Sequence, residues 1–128
     1  MKATDFAINR IVSILESVLQ VPVMKYSKPT AVQLDEYVVV NSLPINADIM
    51  QRCVVNVNYH VKDITPGAPD VDKIESGTSA VIAALDGTVE KGISNDVLID
   101  YETQETHRED PLGEHYSNIR FTVRIINK

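Results

Sequence analysis

RCVVNVNYHVK, residues 52–62, carries the clearest structural signal in this sequence. Every second side chain is apolar or nearly so, namely Cys53, Val55, Val57, Tyr59 and Val61. The intervening positions are polar apart from Val54, and they include Asn56, Asn58 and His60. A period of two residues is typical of a β-strand. It predicts a strand with one face on a core and the other face in water or at an interface.

Four more segments read as strands. The last one repeats the alternation, with Ile119, Phe121, Val123 and Ile125 on one face and polar residues between them. A long strand begins near Asp96, in which Val97, Ile99, Tyr101 and Thr103 share a face. Tyr37–Asn41 is rich in β-branched residues, and 23–26 is a short strand. Ser42–Asp48 is a turn-like connection, and a loop through Gly92 and Asn95 follows the second helical segment. Asp110–Gly113 is a turn that joins the last two strands into a long hairpin.

Two segments have helical periodicity. Residues 4–20 place Ile8, Ile11, Val12 and Leu15 on one stripe. Asp72–Leu85 does the same, with Asp70 or Asp72 as its cap and Gly87 as its stop. The order is therefore α-β-β-β-α-β-β. We predict an α+β fold, a mainly antiparallel sheet with two packed helices and a long C-terminal hairpin, with residues 1–128 as a single domain.

Composition narrows the possible functions. The chain has 18 acids against 12 bases, a net charge of −6, which disfavours tight non-specific binding of nucleic acid. Its one cysteine, Cys53, excludes an intrachain disulfide. No signal peptide is recognisable, and no stretch approaches the roughly 18 apolar residues that span a bilayer. We expect a soluble protein made in the cytoplasm, with no membrane partner.

The histidines, Cys53 and the glycines are the candidates for catalytic or metal-binding patterns. His107 and His115 flank an acidic turn and could face each other across the hairpin, with Asp110 or Glu114 nearby as further ligands. We favour solvated polar residues there because no spacing motif supports a metal site. Cys53 is in phase with buried valines, so we predict a packed thiol. We also predict that the small residues 76–79 let a helix approach the sheet closely. No catalytic residue, metal or cofactor is expected.

The final hairpin is acidic and longer than its apolar content explains. Its segment from Asp100 to His115 has Arg108 as the only Lys or Arg, against the acids Asp100, Glu102, Glu105, Glu109, Asp110 and Glu114. A solvated hairpin is one interpretation. The other is an arm that extends beyond the body, which a neighbouring subunit would stabilise because isolated two-stranded ribbons are marginal in water. The polar face of residues 52–62 is a second candidate contact surface.

The chain resembles the tail terminator and tail completion (neck) proteins of long-tailed bacteriophages. The resemblance rests on the N-terminal helix, the strands Tyr37–Asn41 and Cys53–Val61, the second helix and the closing hairpin. It implies a structural virion protein that is assembled in the host bacterial cytoplasm. Such proteins form a ring, usually a hexamer, at the head–tail junction. The ring terminates the tail tube and docks it to the head-side connector or stopper protein, and DNA passes through without specific binding.

Two sets of residues follow as hypotheses from this resemblance and the pattern above. The predicted subunit interface comprises Tyr101, Thr103, Glu105, His107, Tyr116, Asn118, Asn56, Asn58 and His60. The predicted channel-lining or tube-facing acids, which would repel phosphates and let DNA slide, are Asp100, Glu102, Glu105, Glu109 and Asp110. The alternatives are another neck or head-completion (stopper) protein, a small cytoplasmic metal-dependent enzyme using His107 and His115, and a homo-oligomeric module without a viral role.

Overall fold

The predicted strands lie in one sheet in the computed structural model, which describes residues 4–28, 33–43, 46–47 and 50–127. The strands are β1 (Val23–Lys25), β2 (Glu36–Ser42), β3 (Asn46–Ala47), β4 (Met50–Lys62), β5 (Thr88–Lys91), β6 (Asn95–Glu109) and β7 (Glu114–Asn127). Their order in the sheet is β1-β2-β4-β7-β6-β5, and β3 pairs with β4. Every pair is antiparallel except β1 with β2. The α+β fold with a mainly antiparallel sheet is confirmed.

The centre of the sheet is the pairing of β4 with β7. All 13 residues of β4 have a partner in β7, from Met50 opposite Ile126 to Lys62 opposite Glu114. Cross-strand partners in an antiparallel pair have their side chains on the same face of the sheet. Apolar residues of β4 are therefore opposite apolar residues of β7 on one face. Val55 therefore lies beside Phe121, and Val57 beside Ile119, all fully buried.

Both helices pack on this apolar face. Helix α1 (Thr4–Val18) buries Ile8, Ile11, Val12 and Leu15, and helix α2 (Val71–Leu85) buries Ile74, Val81 and Leu85. Asp70 caps α2 by accepting a hydrogen bond from the Lys73 amide at 3.3 Å, so Asp72, the other candidate, is not the cap. Neither helix, within the described ranges, has the length and apolar character needed to cross a bilayer.

Two short strands lie where a turn and a loop were predicted. β3 falls within the expected turn 42–48, of which residues 44–45 and 48 lie outside the described residues. β5 pairs with the start of β6, Thr88 opposite Ile99, in what was predicted as a loop. Its four residues include one large apolar side chain, Val89, which is exposed. A strand held by backbone pairing at an edge leaves almost no hydrophobic pattern to detect.

The prediction of a two-stranded arm is wrong. The hairpin is long, 15 residues in β6 and 14 in β7, but β7 lies against β4 along nearly its whole length. The partner that supports the hairpin is therefore the chain's own β4. The reason is the register: β4 pairs with β7 as far as Lys62 opposite Glu114, and the sequence pattern does not show which strands are neighbours.

The small residues of α2 permit a close approach, as predicted. Gly77 lies directly over the Tyr59 ring, and a β-carbon there would overlap ring atoms. Thr78 lies near enough to donate its hydroxyl hydrogen to Ser117 Oγ, at 2.7 Å. Tyr59 is held in place by donating its own hydroxyl hydrogen to Glu36, at 2.8 Å.

We predict that Gly77→Ala destabilises the protein by about 1–3 kcal/mol, because the added methyl group forces the helix off the Tyr59 ring. The higher helix propensity of alanine, worth ~1 kcal/mol, acts in the opposite direction. Urea unfolding measures the difference, with Ser76→Ala, at an exposed position of the same helix, as the control. A Gly77→Ala protein as stable as the control would contradict the packing described.

Candidate functional site

The face of the sheet opposite α1 and α2 is the candidate site, and we call it the helix-free face. The strand registers define its members, because cross-strand partners share a face. Its two main rows are Tyr37, His60, Tyr116 and His107, and Val39, Asn58, Asn118 and Glu105. Four strands contribute to each row, so residues far apart in sequence form one continuous surface.

The first row is a stack of four rings. The Tyr37 and His60 centroids are 4.5 Å apart, those of His60 and Tyr116 4.7 Å, and those of Tyr116 and His107 5.2 Å. The Lys28 ammonium lies 5.5 Å from the centroid of Tyr37. Offset stacking of this kind stabilises neighbouring strands beyond the area that it buries. The row therefore gives the helix-free face an ordered centre, in which Tyr37 is buried although α1 and α2 lie on the other side of the sheet.

A buried carboxylate anchors the row. Glu114, only 5% exposed, accepts a hydrogen bond from the Tyr37 hydroxyl, and its Oε1 lies 2.8 Å from Nδ1 of His60. Burial lowers the pKa of His60 below its usual value, and the Glu114 carboxylate offsets that effect only in part. His60 is thus neutral at pH 7, and its Nδ1–H donates to Glu114. Burial, together with Glu114, raises the pKa of Tyr37, so its hydroxyl stays protonated.

Asparagines continue the polar surface beside this row. Asn118 donates to Asn58 at 2.7 Å and to Asn56 at 3.3 Å, and Asn56 donates to Asn41 at 3.0 Å. These four side chains are only partly buried. They form a network of amide groups that crosses three strands, a surface that can hydrogen-bond to another protein or to water.

A β-bulge in β6 determines which acids face this side. The register shifts between Tyr101 and Thr103, so Glu102 is an extra residue in the strand. Glu102 accepts a hydrogen bond from Thr122, and Asp100 pairs with Arg124. Both acids therefore lie on the helix-free face, and Glu105, whose side chain is 76% exposed, follows on the same face.

The bulge also separates two residues that sequence alternation placed together. Tyr101 pairs with Phe121 on the helix-covered side, with their rings edge to face at 6.1 Å, whereas Thr103 lies on the helix-free face. The prediction that they share a face is wrong because the extra residue reverses the alternation. All other predicted interface residues share the helix-free face: Thr103, Glu105, His107, Tyr116, Asn118, Asn56, Asn58 and His60.

Of the predicted channel acids, four lie on the helix-free face: Asp100, Glu102, Glu105 and Glu109. Asp110 begins a short 3-10 helix, Asp110–Leu112, and its side chain is outside what the structure describes. Sequence reasoning missed Tyr37 and Lys28 as members of this surface and did not see that Glu114 is its buried anchor. The strand pattern contained Tyr37, but only the register brings it beside His60.

The predicted meeting of His107 and His115 does not occur. His107 pairs with Tyr116 and His115 with Arg108, so the two imidazoles lie on opposite faces of the hairpin. His115 Nδ1 instead lies 2.7 Å from Asp63 Oδ1. Within the described ranges, no three His, Cys, Asp or Glu residues are grouped to hold a metal ion. Cys53 is buried, which raises its pKa to about 11, so it is an unreactive thiol at neutral pH.

Comparison with known proteins gives a structural match. No protein-family model matches the sequence. No curated protein matches it either. Among solved structures, a chain of the "Virion of native gene transfer agent (GTA) particle" superposes with a TM-score of 0.58 and 14% identity. The match covers 98% of this chain and 96% of that one. The two chains share a fold.

Acid should destabilise the protein through His60. Its folded-state pKa lies below the value of about 6.5 expected when unfolded, so the unfolded chain binds the proton more tightly. The free energy of unfolding is then fully retained above pH 6.5 and falls below it, with a slope limited to ~1.4 kcal/mol per pH unit for one proton. Burial lowers the pKa of His60 more than the nearby Glu114 and Glu109 carboxylates raise it. The positive charge of Lys28 lowers this pKa further.

Urea unfolding between pH 7.5 and 5 measures this effect. His60→Gln keeps a polar group beside Glu114 but cannot titrate, so we expect a flatter dependence on pH than in the unmodified protein. His107→Gln, at a more exposed ring of the same row, is the control. A wild-type protein that becomes more stable from pH 7 to 5 would show that His60 is charged in the fold.

Proposed function

We propose that this chain is a structural protein of a phage-like virion and that it acts by assembly, not by catalysis. The observation that carries the proposal is the shared fold with a chain of a gene transfer agent virion over almost the whole of both chains. Nearly complete coverage on both sides matters because a common small motif would match only in part. Similarity of fold at this identity is a guide to role by analogy.

The surface chemistry supports the same proposal. Outside the core, the helix-free face carries an array of stacked rings and hydrogen-bonded amides that is built across four strands. Its histidines stack or pair with neighbours, and its carboxylates are spread along β6. A surface rich in amide and aromatic groups is suited to contact with other proteins.

The more specific proposal follows the resemblance to tail terminator and tail completion proteins. The chain would form a ring, usually hexameric in such proteins, at the head–tail junction. It would terminate the tail tube and dock it to the head-side connector or stopper protein. The predicted interface residues on the helix-free face would contribute to subunit contacts, and the ring would be part of the virion.

The acids of the helix-free face are proposed to face the channel or the tube. Asp100, Glu102, Glu105 and Glu109 would give the wall a negative potential that discourages DNA from adhering as it passes. Asp100 is partly neutralised by Arg124, so the outer acids Glu105 and Glu109 would contribute most. A map of the assembled ring with these carboxylates on its outer wall would reject this placement.

Tail tubes provide the test of the terminator role. Tubes polymerised from the tube protein of the same genome should stop growing when this chain is added, and a ring should be visible at one end by electron microscopy. Filled heads that lack tails are the matched control, and we expect no binding to them in the absence of a tail. Binding to heads but not to tubes would indicate another neck protein, and binding to neither would overturn a role in the neck.

A further inference from the structure

Among the described residues, no strand pairs with the outer edge of β6 over much of its length. β5 covers only Asp96–Ile99, and the Tyr101 amide donates to Asp86 Oδ1 at 2.9 Å. Beyond the bulge, the described parts of the chain place no strand beside Thr103–Glu109. An edge of this kind presents backbone N–H and C=O groups on alternate residues over roughly 20 Å, which is a template for another strand.

The negative charge of this edge indicates which kind of strand can pair with it. Thr103–Glu109 carries the acids Glu105 and Glu109 against Arg108, and the acid Glu102 directly precedes it. Two such edges placed side by side would bring like charges together, which destabilises cross-strand pairs. The edge is therefore protected against pairing with its own copy. A strand with basic flanks would be favoured.

The opposite edge of the same sheet, formed by β1, has such basic residues. Residues 23–28, which include β1, contain Lys25 and Lys28 and no acid. Lys25 is exposed, and Lys28 lies over the ring of Tyr37 on the helix-free face. β1 pairs only with β2 among the described strands, so its other side is also an edge.

The strand directions make the two edges compatible. β1 is parallel to β2, and β2, β4, β7 and β6 then alternate in direction along the sheet. β1 and β6 consequently run in opposite directions. If a second copy continues the sheet beside β6, its β1 forms an antiparallel pair, and its helices lie on the same side as those of the first copy.

We propose that the Thr103–Glu109 edge of β6 accepts the β1 edge of a second copy of this chain, so that copies join head to tail through an antiparallel β6–β1 pair that makes their sheets continuous. The inference rests on the proposed ring and names the contact that builds it. Two different patches meet at each junction, as a closed rotational assembly requires. All helix-free faces then line the same wall of the assembly.

Charge reversal at each edge tests this contact. Glu105→Lys changes the β6 edge, Lys28→Glu changes the β1 edge, and Glu16→Lys, at an exposed position of α1, is the control. Sedimentation across a range of protein concentrations should show assembly of the wild-type chain and of the control. Each edge variant alone should assemble at least about tenfold more weakly. An equimolar mixture of the two edge variants should regain assembly, because the reversed β6 edge of one copy then meets the reversed β1 edge of the next with opposite charge.

Each contrary outcome has a defined meaning. A wild-type chain that stays monomeric, a Lys28→Glu protein that assembles normally, or a mixture that is not restored overturns the contact. If Lys28→Glu fails to fold, Lys25→Glu takes its place with the same expectation. Tubes that are capped equally well by all variants would overturn the edge contact and leave the proposed function standing. If the variants assemble as expected but no variant binds tubes, the edge contact stands and the proposed role at the tail tube is overturned.

Discussion

The pairing of β4 with β7 is the constraint on which the rest of the structure depends. It aligns two strands that alternate between apolar and polar residues over 13 positions, so nearly all of their apolar side chains fall on one side. That side binds both helices, and burying aliphatic side chains there is the main source of stability. The other side is left with asparagines, stacked rings and acids, and it owes its order to hydrogen bonds and ring contacts between strands.

Buried polar groups on the helix-free face are tolerated because they are paired. Glu114 would be costly to bury alone, but Tyr37 and His60 both satisfy its carboxylate. The arrangement holds the turn end of the hairpin against β4 and β2 on the helix-free face, while Tyr59 and Val61 are buried on the other face. Polar pairing and apolar burial together explain why β6 and β7 extend to the end of β4 without forming a separate arm.

The sequence predicted the features that depend on periodicity. Val55, Val57 and Phe121 were placed on the core face, and both helices were found within a few residues of their ends. The features that depend on a single residue or on register were missed. The extra Glu102 reversed the face of Tyr101 relative to Thr103, and no periodic signal marks a bulge. The ring row could not be predicted, because the alignment of Tyr37, His60 and Tyr116 is a property of the paired strands.

The central claim is that copies of this chain meet through the two edges of the sheet, β6 of one copy and β1 of the next, so that the helix-free faces line one wall of the assembly. Amide hydrogen exchange, compared between dilute chain and assembled chain, tests it most directly. The account predicts that assembly slows exchange at Thr103–Glu109 and at residues 23–28, with little change in α1. Slowing confined to the helices, with the β6 edge still exchanging freely, would contradict it.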